Sequence, residues 1–425
     1  MAGASLVTLA GVLWLFVLPV NIRGRVGNPY IGLLLFIAIP AVFFLGLALI
    51  PIGIALARRR RRVPADFNWR RTGIFFAAMT LVNILVGSQL SYRAVEHLET
   101  VQFCGQSCHV MKPEFTAHQL PPHQSVSCAS CHIAPGADGW LKAKMSGTRQ
   151  LGAVVFNSFP RPIESAMESN RLISSADTCE QCHARDKPSG PRLRVFSKFQ
   201  EDEANTRTET VLTMQVGRIH GAHMGPGVRI RYTATDKKRQ TISWVEYRNT
   251  GGVTRTYVAG DAKANLPIFE MQCVDCHNRA AHAFQLPERA MDEAMARGEI
   301  PVGLPFVKKN GIELLKASYA TDDEAERKIP AGLSAFYKGK PDVQATGQAL
   351  LAIYRHNVFP DLKVTWGTYP NNLGHSDNPG CFRCHDDSHA TADKKTISQD
   401  CNACHQAVAV EEKSPDVLKT LGITQ

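Results

Sequence analysis

The sequence predicts a membrane-anchored chain: three N-terminal transmembrane α-helices, then a loop-rich, mainly α domain outside the membrane carrying a small antiparallel β insertion. Three observations predict it. Most of the long apolar runs lie before residue 92 of 425. Beyond that point twelve cysteines fall in close pairs, across segments with little periodic pattern. Between residues 191 and 262 the pattern changes to short alternating runs rich in β-forming side chains.

Three N-terminal stretches carry no charge: Met1 to Ile22, Val26 to Ala57, and Thr72 to Tyr92. Each reaches the roughly 20 helical residues that cross a bilayer core. Pro40 and Pro51 are tolerated where neighbouring helices cover the freed carbonyls. The first stretch reads as an anchor because it lacks the positive n-region and small-residue cleavage pattern of a signal peptide. Between the second and third stretches stand Arg58 to Arg62, Arg70 and Arg71, against the single Asp66. This excess of arginine assigns the loop, and with it the N-terminus, to the cytoplasm, and everything after Tyr92 to the outside. Arg23 and Arg25 stand on the wrong side for the rule.

The twelve cysteines form six pairs: Cys104/Cys108, Cys128/Cys131, Cys179/Cys182, Cys273/Cys276, Cys381/Cys384 and Cys401/Cys404. A histidine follows each pair directly: His109, His132, His183, His277, His385 and His405. C-x-x-C-H is the attachment motif of c-type haem, in which two thiols bond the vinyl groups and the adjacent imidazole becomes an axial ligand of the iron. Zinc sites need two further ligands at matching spacing and no histidine after each pair, and disulfides need none either. The first motif has three residues between its cysteines, and one can bulge out while both thioethers form. The fold class is therefore a membrane-anchored multihaem cytochrome c with six covalent haems.

Haem also accounts for the charge. The chain's formal +10 would suggest nucleic acid or anionic lipid for a soluble protein, but the arginine loop supplies most of it. Each haem adds about −1 when ferric, through its propionates. Nucleic acid is thus not an expected partner.

Electron-carrying haems usually have both axial positions filled by protein. Five bis-histidine haems need five histidines beyond the motifs, and nine remain. His282 and His389 follow a motif closely, and His375 and His123 precede one by six and five residues. His220 and His223, three apart, compete for one position. His97, His118 and His356 read as ordinary histidines. Spacing does not assign a distal histidine to its haem.

The block from Leu81 to Val155 resembles the NapC/NirT family of membrane-anchored quinol dehydrogenases. It has an uncharged helix leading into the first motif, then His109-Val110-Met111-Lys112-Pro113-Glu114, His123 before the second motif, and Lys142-Ala143-Lys144. The last two motifs, with Asn357 to Asp361 and Trp366 to Pro370 before them, resemble the family's longer inner-membrane cytochromes from metal-reducing bacteria. The resemblance implies that the first haem lies at the membrane face, with Met111 able to ligate it in place of His109. It implies a quinol pocket lined by Lys142 or Lys144. The acidic residue that the family can have near the quinol is missing between Asp138 and Glu164, which leaves Glu114 and His118 as proton acceptors.

The expected organisation is a membrane domain at 1–92, haems one to three at 93–190, a β insertion at 191–262, haems four to six at 263–410 and a tail at 411–425, probed below. Within the insertion, Gly227 to Thr233 and Thr241 to Tyr247 read as strands joined by a turn at Asp236 to Arg239. His220 and His223 read as a loop reaching back to a haem. The spacer after the fourth motif reads as helical, with Pro287 opening one helix, Thr321-Asp-Asp-Glu324 resembling a capping box, and Gln344 to Tyr354 forming another. The tail beyond Val410 reads as a frayed helix.

The function expected from these readings is a quinol:cytochrome c-type oxidoreductase of the bacterial inner membrane, its haem domain in the periplasm. Electrons pass from membrane quinol through six haems to a periplasmic cytochrome or reductase. The alternative is a membrane-anchored relay fed by a separate quinol-oxidising partner. A terminal oxyanion reductase fits less well, because it needs an open haem, often with lysine replacing a motif histidine.

Overall fold

The computed structural model describes residues 1–22, 38–60, 69–107, 109–184, 189–260 and 265–423, without the side chains of 16–22, Arg58, Arg60, Trp69 and His109. It divides into two compact units, Met1–Cys104 and Gly105–Gln425.

The first unit holds α1 (Ala2–Ile22), α2 (Ile39–Arg60) and α3 (Trp69–Leu98). α1 and α2 meet through glycines: a Cβ on Gly3 would lie 2.7 Å from the carbonyl oxygen of Gly46, and one on Gly46 would lie 2.9 Å from that of Gly3. Small residues let backbones approach closely where no hydrophobic force joins helices in lipid. Phe44, Leu45, Ile52 and Ile54 on α2, with Ile74, Leu81, Ile84 and Leu85 on α3, are exposed. Such surfaces suit hydrocarbon and not water.

The expectation of three membrane spans is corrected here. Among the described residues two segments are long and apolar enough to cross, Ile39–Ala57 and Arg70–Leu98; the apolar stretch of the first helix, Ala2–Leu15, is shorter. The start of the second expected span and residues 61–68 of the arginine loop lie outside the described residues.

In the second unit, β1 (Arg192–Phe199), β2 (Arg207–Met214) and, from the far end of the chain, β7 (His405–Glu412) make an antiparallel sheet in the order β1-β2-β7. A second sheet contains β3 (Arg229–Ala234), β4 (Ile242–Arg248), β5 (Thr254–Val258) and β6 (Ile268–Glu270) in the order β5-β4-β3-β6. The β3–β4 turn is the one expected: the Asp236 carboxylate accepts from the backbone N–H groups of Gln240 and Thr241. Across the strands Arg231 faces Glu246 in register and pairs with it at 2.6 Å. Alternation buries Ile230, Tyr232 and Ala234 on the other face.

The tail departs from its reading. Residues 405–412 pair with β2, where Val211 lies opposite Ala409 and both are buried. The β region is therefore completed by the chain's end and is not a self-contained insertion. A short helical turn, Asp416–Thr420, follows and buries Leu418.

The helical elements of this unit are α4 (Lys112–His118), α5 (Gly136–Val155), α6 (Val216–Met224), α7 (Pro287–Ala296), α8 (Val307–Lys316), α9 (Asp322–Phe336) and α10 (Val343–Asn357). Pro287 does open α7, and Thr321 Oγ1 accepts from the Glu324 N–H to cap α9. α7 to α10 enclose the main apolar core, with Met291, Leu315, Ile329, Leu333 and Leu350 fully buried. α9 and α10 cross where a Cβ on Gly347 would sit 3.1 Å from Pro330. Lys308 of α8, buried, donates to Asp292 at 2.7 Å and to the Phe199 carbonyl, which ties the core to β1.

Candidate haem sites

Five of the six cysteine motifs fold as a single helical turn: Cys128–His132, Cys179–Gln181, Cys273–Cys276, Gly380–Arg383 and Cys401–Cys404. Residues three apart on a turn share a side, so the two thiols of each motif project together. The His183, His277 and His385 N–H groups donate to the carbonyls of Cys179, Cys273 and Cys381, which closes the turn with the histidine at its edge. In the first motif, Cys104 lies in the helical segment Val101–Gln106 and Cys108 is outside the described residues. The His109 backbone begins the turn His109–Met111, but its side chain is not described.

Each of the other five motif histidines faces a histidine from elsewhere. The ring centroids are 6.0 Å apart for His132 and His282, 6.1 Å for His183 and His123, and 6.2 Å for His277 and His220. They are 5.9 Å apart for His385 and His223, and 6.1 Å for His405 and His375. An imidazole nitrogen binds a metal at about 2 Å and the ring centre lies about 1 Å beyond, so two rings sharing one metal are separated by roughly 6 Å. All five gaps have that width.

The hydrogen bonds of three of these rings orient them. Nδ1 of His123, His223 and His385 lies against the carbonyl oxygens of Ala280, Ile219 and Ser398, at 2.9, 2.8 and 2.6 Å. A carbonyl can only accept, so Nδ1 carries the proton and Nε2 keeps its lone pair toward the opposing ring. Burial lowers the pKa of His132, His223 and His277, and takes that of His282 down to about 3. Neutral imidazole is the form that binds a metal. Among the described residues no three His, Cys, Asp or Glu side chains converge as ligands of a bare ion. Thiols on one side of a turn and facing neutral imidazoles fit covalent haem with two axial histidines.

Two expectations from spacing change. His220 and His223 do not compete: both project from α6, yet His220 faces the fourth motif and His223 the fifth. His389 faces none of the five described motif histidine rings; it is buried, with Nδ1 2.7 Å from the Asp386 carboxylate. The reason is local, since Asp386 also bonds Ser388 and the His389 N–H, and so folds the segment back on itself. His118 and His356, expected to be ordinary, face none of the five described motif histidine rings: His118 bonds the Val126 carbonyl, and burial lowers the pKa of His356.

The sites adjoin one another. Cys179 and Cys182 lie near enough to Cys131 to add to the rise that burial imposes on its pKa. The segment His277 to His282 supplies rings to the fourth and second sites and, at Ala280, holds His123 of the third. α6 bridges the fourth and fifth, and Arg383 of the fifth motif donates to the carbonyl of Asp275 in the fourth at 2.6 Å. The Cys381 N–H of the fifth motif donates to Gly374, next to His375 of the sixth site. No sequence signal marked the long-range links, such as that of His123 to Ala280, which are 157 residues apart.

Around the first motif, Met111 packs on the buried cluster of Val110, Phe359, Leu362, Val364 and Tyr369. Glu114 on α4 has a buried Oε2 without a hydrogen-bond partner. Burial raises its pKa, opposed by its own backbone N–H and by Arg279, whose guanidinium lies 4.5 Å over the Tyr369 ring. The Arg279 Nε is likewise buried without a partner. Lys142 and Lys144 do not reach Glu114: Lys142 forms an exposed ion pair with Asp138 at 2.7 Å, and the Lys144 ammonium lies 5.3 Å over the Trp140 ring.

Paired thiols backed by imidazoles facing across a metal-sized gap, repeated along a chain with exposed apolar helices long enough to cross a bilayer, define a membrane-anchored c-type cytochrome. Comparison with known proteins agrees. A family model described as the N-terminal region of the NapC/NirT cytochrome c family matches residues 68–213. The chain is also 39% identical, over 437 residues, to the cytochrome c-type protein ImcH of Geobacter sulfurreducens, spanning 95% of this chain and 86% of that one. The chain belongs to the NapC/NirT cytochrome c family, whose members carry covalent haem and transfer electrons. No solved structure matches it.

Proposed function

We propose that the chain is a quinol dehydrogenase of the bacterial inner membrane that passes electrons from membrane quinol through six c-type haems to a periplasmic cytochrome or reductase. The observation that carries this reading is the series of five facing histidine pairs, in which the second to sixth sites are joined by shared segments or hydrogen bonds. When bound, haem supplies one-electron exchange at iron. The chain's part is to hold and tune it. We assign His282 to the second site, His123 to the third, His220 to the fourth, His223 to the fifth and His375 to the sixth. Met111 is the candidate ligand at the first.

For quinol oxidation Glu114 is the best proton acceptor. A carboxylate whose pKa is raised by burial lies closer to the operating pH than an exposed one, and so matches the task of a general base. Lys142 and Lys144 would stabilise the quinol anion as its proton leaves. The relay reading draws support from the same residues, since both lysines have other partners here.

Reduction of the purified full-length protein by a quinol analogue separates the two readings. The dehydrogenase is reduced by quinol, and its rate rises with pH through the raised pKa of Glu114 as the carboxylate forms. Glu114→Gln flattens that profile and leaves reduction by dithionite unchanged. Lys142→Ala or Lys144→Ala slows quinol reduction. If quinol does not reduce the protein while dithionite does, the relay reading replaces this one.

A further inference from the structure

α5 is a 20-residue helix with a single buried residue, Gly139. Its inward side is marked by the buried Gly139 and by Val154, which packs against the cluster around Tyr369. At 100° per residue the opposite side carries Leu141, Met145, Thr148, Gly152 and Val155, with Leu151 and Phe156 beside them. Exposure there is high: 54% for Leu141, 62% for Met145, 69% for Val155 and 81% for Phe156. An apolar stripe of this length facing water would cost free energy and does not stabilise a helix by itself.

The charges indicate what covers it. Lys142 and Arg149 border the stripe on one side and Lys144 on the other, and Asp138 is the helix's one acid. The Asp138–Lys142 pair is exposed on both sides, so it holds Lys142 only weakly. An apolar stripe rimmed by lysine and arginine is the pattern of a helix lying in a bilayer interface, where the long basic side chains reach up to anionic headgroups. The same chain carries two candidate membrane spans, Ile39–Ala57 and Arg70–Leu98, so a bilayer is a surface this protein meets.

We propose that α5 is an interfacial membrane-binding helix, with its stripe of Leu141, Met145, Val155 and Phe156 immersed at the headgroup boundary of an anionic phospholipid bilayer. The contact adds a second attachment, distinct from the spanning helices, and it holds whether or not quinol is oxidised nearby.

Photo-crosslinking of the full-length haem-loaded protein in nanodiscs of phosphatidylglycerol and phosphatidylethanolamine tests it. With p-benzoylphenylalanine in place of Met145 or Val155, mass spectrometry should find lipid adducts at roughly tenfold the yield seen at Val253, also an exposed residue, in the β4–β5 turn. Arg149→Glu should cut the yield at position 145 about fivefold in these discs. Adducts to a second copy, to the chain itself or to haem at positions 145 and 155 would overturn the proposal. So would equal lipid yields at all three positions.

Discussion

Residues 109–184 and residues 287–358 are of similar length and are held together by different means. In the second region four helices bury Met291, Leu315, Ile329, Leu333, Leu350 and Tyr354 against one another, and their sequence carries apolar side chains at helical spacing. In the first, Val110, Ala117 and Met167 are the buried hydrophobic side chains among the described residues. Two cysteine motifs and their histidines occupy that stretch instead. Too little apolar surface is available there to offset the entropy of ordering the chain. The comparison teaches that a covalent prosthetic group serves as the core where side chains do not.

The largest expected effect follows directly. The full chain produced without haem attachment should lose its order across 109–184 and be cut there rapidly by protease, while α7 to α10 stay protected. Equal protection of both regions would mean that the first has a protein core of its own. A core truncation should do the converse. Leu350→Ala removes a fully buried side chain and should destabilise the helical region by about 2–5 kcal/mol, measured by denaturant unfolding, with haem content unchanged. The smallest effect sharpens the comparison inside the haem region. His223→Ala should turn one low-spin haem high-spin in the visible and electron paramagnetic resonance spectra, whereas His389→Ala should leave every haem low-spin.

That last contrast marks the limit of what the sequence conveys. The attachment residues were legible because the motif is local: two thiols and an imidazole lie within five residues in five motifs and within six in the first. The distal histidines were legible as a set, but their partners were not. His123 stands before the second motif and faces the histidine of the third, while His282 follows the fourth and faces the second. His389 follows its motif at nearly the spacing of His282, and a single nearby carboxylate, Asp386, turns it away. In the fold, Pro287 and Thr321 announced their helices through capping chemistry. β7 was hidden because its strand begins within a haem motif and finds its partner nearly 200 residues upstream. The membrane region was legible from its apolar runs, yet not in the number of its crossings.

The account depends on electrons entering at the motif that follows the membrane helices, and that motif has the irregular spacing. The mass of the denatured full-length chain therefore tests it most directly, because thioether-bound haem survives denaturation. A mass for six haems, with neither Cys104 nor Cys108 reactive toward a thiol reagent, is the predicted result and means that both cysteines serve. A mass for five, with Cys104 and Cys108 free to react with a thiol reagent, would contradict the account by removing its point of entry.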